Sequence, residues 1–167
     1  MNVLPNALSI SRFFLAFLLF SHIPIVRLFA IIVAALTDFL DGFLARKFKS
    51  ISTFGRTIDP LSDKFFVLMG LCIFLQEGTI NWVEALLMLS RDAALFLFGI
   101  FLMGKGKLSG YPINSMYTGK VTTALQLFVF ISITLGVALP FTLFALFGAL
   151  GLLALFELFY FYLAPTQ

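Results

Sequence analysis

Residues 38 to 64 read Asp38-Phe39-Leu40-Asp41-Gly42-Phe43-Leu44-Ala45-Arg46-Lys47-Phe48-Lys49-Ser50-Ile51-Ser52-Thr53-Phe54-Gly55-Arg56-Thr57-Ile58-Asp59-Pro60-Leu61-Ser62-Asp63-Lys64. Half of the chain's 8 acidic residues fall in this stretch, as the pairs Asp38/Asp41 and Asp59/Asp63, although 61% of the protein is hydrophobic. A helix turns by about 100° per residue, so positions i, i+3, i+4, i+7 and i+8 share a face. Asp38, Asp41, Gly42, Ala45 and Arg46 form such a series, and Gly55, Asp59 and Asp63 form another. Two helices joined by the basic turn after Arg46 can therefore bring four carboxylates together, beside small residues that let a ligand approach the backbone.

Neighbouring carboxylates raise one another's pKa, so a cluster of four needs a cation to stay ionised. An all-oxygen donor set suits a hard divalent ion, Mg²⁺ or Mn²⁺. Zinc would favour Cys or His, and the chain has one of each, Cys72 and His22. Asp38, Asp41, Asp59 and Asp63 suffice for two ions sharing ligands, an arrangement suited to phosphoryl transfer.

Composition sets the environment of this cluster. Mean hydropathy is +1.08, with 17% aromatic and only 11% charged residues. So few polar groups cannot cover the surface of a soluble domain, and the chain reads as an all-α integral membrane protein. A spanning helix takes about 20 apolar residues, so six spans use most of the 167 residues and leave room for one membrane domain over 1–167. The opening Met1-Asn2-Val3-Leu4-Pro5-Asn6 carries no Lys or Arg before the first apolar run, and no removable signal peptide is expected. A single cysteine excludes a disulfide within the chain. The net charge of +3 is small, and no nucleic-acid partner is expected.

Spans are expected near 6–22, 25–46, 55–76, 81–103, 117–138 and 141–162. Arg46, Lys47, Lys49, Arg56 and Lys64 flank the second break and Lys105, Lys107 and Lys120 the fourth, whereas the first, third and fifth breaks hold only Arg27. The positive-inside rule then puts both termini and both basic loops in the cytoplasm. Both acidic pairs lie at the cytoplasmic ends of the second and third spans. Pro60, beside Asp59, removes one helical hydrogen bond and exposes a carbonyl, which a cavity, water or ligand must satisfy at this depth.

The same stretch matches, residue for residue, the signature of the CDP-alcohol phosphatidyltransferases: Asp38, Asp41, Gly42, Ala45, Arg46, Gly55, Asp59 and Asp63. The six-span bundle of that family covers essentially the whole chain. Other features resemble the branch that makes phosphatidylglycerol phosphate. Pro5, Asn6, Leu8, Ser9 and Arg12 are similar to its opening motif, with Ser9 in place of Thr. Ser52, Asp59, Pro60, Asp63 and Lys64 match a second element, and Gly119, Lys120, Thr123 and Gln126 a third, in which Thr122 stands where a second Lys is usual.

The resemblance implies that CDP-diacylglycerol enters from the bilayer and gives its phosphatidyl group to an alcohol, releasing CMP. Asp38, Asp41, Asp59 and Asp63 would hold two Mg²⁺ or Mn²⁺ ions, with Asp63 also the general base. Gly42, Ala45, Arg46, Gly55, Asn6 and Ser9 would meet the CDP-lipid. Arg91, Lys120, Lys105 and Lys107 would take the phosphate of glycerol 3-phosphate. It also implies a homodimer in a bacterial inner membrane, with the site facing the cytoplasm. Serine, inositol phosphate or phosphatidylglycerol, the acceptor of cardiolipin synthases, are alternative acceptors. A divalent-cation transporter using the same carboxylates is the rival from another class, but the outer halves of the second and third spans, Ile31–Leu36 and Phe65–Leu75, show no polar path.

Plainer accounts stand beside these. The aspartates could pair with Arg46, Arg56 and Lys64 for structure alone, Arg91 with Asp92 could be an internal ion pair, and Arg12 could snorkel or pair with an acid. His22, Cys72 and Trp82 read as packing or interface residues, and Lys47 and Lys49 as anchors against anionic headgroups.

Overall fold

The structure, a computed structural model, describes the backbone of residues 3–48, 53–105 and 117–163, and the side chains of 11–37, 62–105, 121–160 and 162. The described residues are all-helical, forming α1 (Val3–Leu18), α2 (Pro24–Phe48), α3 (Thr53–Gln76), α4 (Trp82–Gly104), α5 (Tyr117–Thr134) and α6 (Phe141–Leu163). The chain divides into two compact units, Met1–Thr79 with Leu127–Ala138, and Ile80–Gln126 with Leu139–Gln167.

Local chemistry sets the helix ends. α1 stops at Leu18, short of the expected 22, because Leu19, Phe20 and Ser21 donate three residues back and tighten the chain into turns. Pro24 then opens α2, where its fixed φ and missing N–H cost nothing. α3 and α5 both end on a left-handed glycine, Gly78 at φ 68° and Gly136 at φ 73°. In each case the next N–H reaches back across the glycine, Thr79 to the Phe74 carbonyl at 3.0 Å and Val137 to the Ser132 carbonyl at 2.9 Å. This closure ends α5 at Thr134 rather than the expected 138. Asn81 caps α4: its side chain accepts from the Glu84 N–H at 3.0 Å while the Glu84 carboxylate accepts from the Asn81 N–H at 2.8 Å.

In the first unit α1 packs against both α2 and α3. Ala16, Ala30 and Ala34 are buried and small, so the helices approach closely. Phe13 of α1 lies over Phe65 of α3 with ring centroids 4.8 Å apart. Phe74 and Phe130 meet edge-on at 5.3 Å, and the Phe130 ring crosses so near Gly70 that a Cβ there would lie 2.5 Å from it. In the second unit α4 packs along α6, whose buried Phe144, Phe147, Gly151, Ala154 and Leu158 recur at alternating three- and four-residue steps. Gly151 lies directly on Ser90 and the backbone of Arg91.

α4 and the Phe141–Tyr160 stretch of α6 are long and apolar enough to cross a bilayer, and Pro24–Thr37 and Val121–Thr134 are shorter apolar stretches. Phe14, Phe29, Leu86, Phe96, Leu152 and Phe156 turn their side chains outward. Outward phenylalanines and leucines on this scale fit contact with lipid rather than water. Among the described residues the protein is all-helical, with two helices suited to crossing a membrane.

Candidate active site

The helical backbone of α2 runs through residues 38 to 46, and that of α3 through 55 to 63, without a break at Pro60. The spacing read from sequence is thus realised on two helices. The side chains of Asp38, Asp41, Gly42, Ala45, Arg46, Gly55 and Asp59 lie outside the described residues, as do those of Asn6, Ser9 and Lys120 and the whole of Lys107. The described side chains nearest these in the fold are those of Arg12, Thr37, Ser62 and Asp63.

Arg12 is the largest fully enclosed side chain among the described residues, 2% exposed. One terminal nitrogen pairs with Oδ1 of Asp63 on α3, and its Nε donates to Oγ1 of Thr37 on α2 at 3.2 Å. The Thr37 hydroxyl spends its own proton on the Ala34 carbonyl at 2.8 Å, which leaves its oxygen to accept from Arg12. One guanidinium therefore joins three helices and brings Asp63 close to the residue that precedes Asp38. Asp63 keeps 35% of its side chain exposed, so the carboxylate has an accessible side and a guanidinium behind it. Ser62 beside it is completely buried. Of the plainer accounts of Arg12, pairing with an acid is the one realised. The sequence reading noted Arg12 but not its partners, which lie 25 and 51 residues away.

At the other end of the same unit, Arg27 in the first turn of α2 pairs with Glu77, just past the end of α3. The first bond, Nη1 to Oε2, is 2.8 Å, and a second joins Nη2 to Oε1. His22 lies 3.7 Å from the same carboxylate, and the guanidinium lies over the Phe74 ring, 5.9 Å from its centroid. The hydrogen bonds from Arg27 hold the Glu77 carboxyl below its ordinary range, against the opposing effect of burial and with help from the charges of Arg27 and His22.

The second unit holds its own polar group. Arg91 and Asp92, adjacent on α4, form an ion pair at 3.6 Å with 13% and 12% of their side chains exposed. Arg91 Nε is buried and makes no hydrogen bond among the described residues. Glu157 on α6 acts on Arg91 through its charge, a residue the sequence reading passed over. Gln126 donates to the Met88 carbonyl at 3.0 Å, and Ser90 donates to the Phe147 carbonyl at 2.8 Å. Thr122 is 2% exposed. Lys105 is exposed at the C-terminal end of α4, where its positive charge suits the helix dipole.

Comparison with known proteins agrees with the signature. The model of the CDP-alcohol phosphatidyltransferase family matches residues 2–160. Three similar proteins, each named CDP-diacylglycerol–glycerol-3-phosphate 3-phosphatidyltransferase, come from Aquifex aeolicus, Rickettsia bellii and Sodalis glossinidius. The first is 40% identical over 141 residues, 81% of this chain and 74% of its own. The second is 29% identical over 140 residues, 80% and 75%, and the third 32% over 124 residues, 72% and 67%. A match over nearly the whole length, with all eight signature residues on helices α2 and α3, leads to one conclusion: this chain belongs to the CDP-alcohol phosphatidyltransferase family.

Proposed function

We propose that the protein transfers the phosphatidyl group of CDP-diacylglycerol to glycerol 3-phosphate, giving phosphatidylglycerol phosphate and CMP. The printed names of its relatives support the choice of substrates. The observation that carries the site is the Arg12 guanidinium, which meets Asp63 of α3 and Thr37 of α2 at once. It supports a meeting of the two acid-bearing helices at one place.

Asp38, Asp41, Asp59 and Asp63 offer only carboxylate oxygens, a donor set that fits hard divalent ions such as Mg²⁺ or Mn²⁺, two in number. When bound, such ions neutralise the diphosphate and stabilise CMP as leaving group. The chain supplies the rest. Gly42, Ala45 and Gly55 let the nucleotide approach the backbone, and Arg46, with Asn6 and Ser9, holds the CDP-lipid. Asp63 accepts the proton of the acceptor hydroxyl as its oxygen attacks the phosphatidyl phosphorus. The bond from that phosphorus to the CMP oxygen breaks, and CMP leaves with the electron pair. Arg91 and Lys120, with Lys105 and Lys107 nearby in sequence, take the acceptor phosphate.

The bundle has six spans in a single domain over 1–167, with both termini cytoplasmic and the site at the cytoplasmic face of a bacterial inner membrane, and it works as a homodimer. The Arg27–Glu77 pair supports this arrangement of α2 and α3, since it joins the start of one to the end of the other and leaves the acid-bearing ends together. The basic residues flanking those ends support the cytoplasmic side.

Purified protein in nanodiscs, given CDP-diacylglycerol, Mg²⁺ and glycerol 3-phosphate, is expected to release CMP. No release with glycerol 3-phosphate, serine, inositol phosphate or phosphatidylglycerol would reject the reading. A second acceptor is worth testing because Thr122, which is buried, offers a phosphate no charge. Preference for an acceptor without a phosphate would remove Arg91 and Lys120 from their role.

A further inference from the structure

The arginine of α1 has not been assigned a part in the chemistry, yet its surroundings are those of a built device. Burying a guanidinium is costly unless its donors are matched, and here they are matched to acceptors on two other helices. We infer that Arg12 is a positioning residue: its fork fixes the Asp63 carboxylate relative to the turn of α2 that carries Asp38, and so sets the spacing of the carboxylates on which metal binding and proton transfer depend. The inference rests on the function proposed above and extends it to a residue on a third helix.

Three observations carry it. Arg12 is 2% exposed while Asp63 is 35% exposed, so the guanidinium lies on the interior side of the carboxylate and does not block its accessible side. Its Nε bond to Thr37 is itself oriented, because the Thr37 hydroxyl is committed to the Ala34 carbonyl. The two bonds leave one rigid planar group toward α2 and α3, which a lysine, with a point charge on a flexible stem, cannot reproduce. Partners that orient a metal-ligating carboxylate typically govern metal affinity and activity by about 10- to 100-fold.

Arg12→Lys keeps the charge and removes the fork, so it separates geometry from electrostatics. In nanodiscs, Arg12→Lys is expected to lower kcat by about 10- to 100-fold with KM for CDP-diacylglycerol within about threefold, and to weaken Mn²⁺ binding, read by electron paramagnetic resonance, by about tenfold. Arg27→Gln is the control. It also breaks an arginine–acid pair in the same unit, but away from the carboxylates, and below its melting midpoint it should leave kcat and Mn²⁺ affinity as in the wild type. Wild-type kcat and Mn²⁺ affinity in Arg12→Lys would overturn the inference, as would equal losses in Arg12→Lys and Arg27→Gln. Should Arg12→Lys not fold, Thr37→Val, which removes only the Nε acceptor, decides: a several-fold fall in kcat with unchanged KM supports the inference and a wild-type kcat rejects it. If the wild type binds Mn²⁺ but turns over no acceptor, the proposed function fails, and the Mn²⁺ comparison still decides the part of Arg12.

Discussion

Arg27 donates to both carboxylate oxygens of Glu77, tying the first turn of α2 to the residue that follows α3. The pair belongs to the end of the unit remote from the aspartates and ties together two helices that both pack on α1. Because Arg27 lowers the folded-state pKa of Glu77 below its ordinary value, the sign of the pH effect follows. The stabilisation is complete above the ordinary carboxylate range and is lost as pH falls through the depressed value. Glu77→Gln is therefore expected to melt about 2–4 °C below the wild type near neutral pH, with the gap closing on acidification. Thermal melts in detergent across a pH series read this directly, and a gap that widens toward acid would contradict it.

Gly70 predicts a packing effect. Its missing Cβ would lie 2.5 Å from Cε2 and 2.8 Å from Cζ of Phe130. Phe130 is completely buried and held edge-on against Phe74, so its ring has no room to swing away. Gly70→Ala should destabilise the protein by about 1–3 kcal/mol despite the better helix propensity of alanine. The double variant Gly70→Ala with Phe130→Leu should recover part of the loss, measured as a shift in melting midpoint.

The α4–α6 contact in the second unit depends on another missing side chain. A Cβ on Gly151 would meet Ser90 Oγ at 2.6 Å and the Arg91 nitrogen at 3.1 Å. The Arg91 nitrogen is backbone and cannot rotate aside, so Gly151→Val should separate the helices and break the bond from Ser90 to the Phe147 carbonyl. A loss of about 2–4 kcal/mol is expected, larger than for Gly70→Ala. Similar melting midpoints for Gly151→Val and the wild type would show that the helices part at little cost.

Much of this arrangement could be read in the sequence, and what could not has physical reasons. The breaks near Pro24, Gly78 and Pro140 are punctuated by residues that stop helices, so six elements were legible. The ends of α1 and α5 were not, because extra turns and a left-handed Gly136 consumed residues that hydropathy alone assigns to a span. The spacing of the aspartates was legible because helical periodicity is local. The partners of Arg12 were not, since they depend on which face α1 turns toward α2 and α3. Arg27 and Glu77 were legible as a match, being opposite charges at the start of the second element and the end of the third. Glu157, a lone acid in an apolar run, gave no local sign that its charge acts on Arg91.

Chelation offers a direct check on the carboxylate site. If Asp38, Asp41, Asp59 and Asp63 hold divalent ions, EDTA should abolish CMP release, and Mg²⁺ or Mn²⁺ should restore it. Asp63→Asn should lower kcat by at least about 10³-fold if it removes both a ligand and the base. It should also destabilise the fold, because Arg12 would stay buried opposite a neutral amide. Combining Asp63→Asn with Arg12→Met should regain stability without regaining activity, which separates the structural part of the pair from its chemical part.

Arg91 poses the sharpest choice between support and substrate. It carries one charge near two acids, Asp92 at 3.6 Å and Glu157 on α6, so it has acidic neighbours before any phosphate arrives. An arginine kept only for structure would need no more than this. Arg91 Nε, however, makes no hydrogen bond among the described residues, so the guanidinium still has a donor to give. Arg91→Gln is therefore expected to raise KM for glycerol 3-phosphate by at least about tenfold, with KM for CDP-diacylglycerol unchanged. Asp92→Asn should change neither KM by more than about threefold, because it removes no donor to the phosphate, and should instead lower the melting midpoint. A fall in stability for Arg91→Gln with both KM values intact would make the residue a brace between α4 and α6 and leave Lys120 to hold the acceptor.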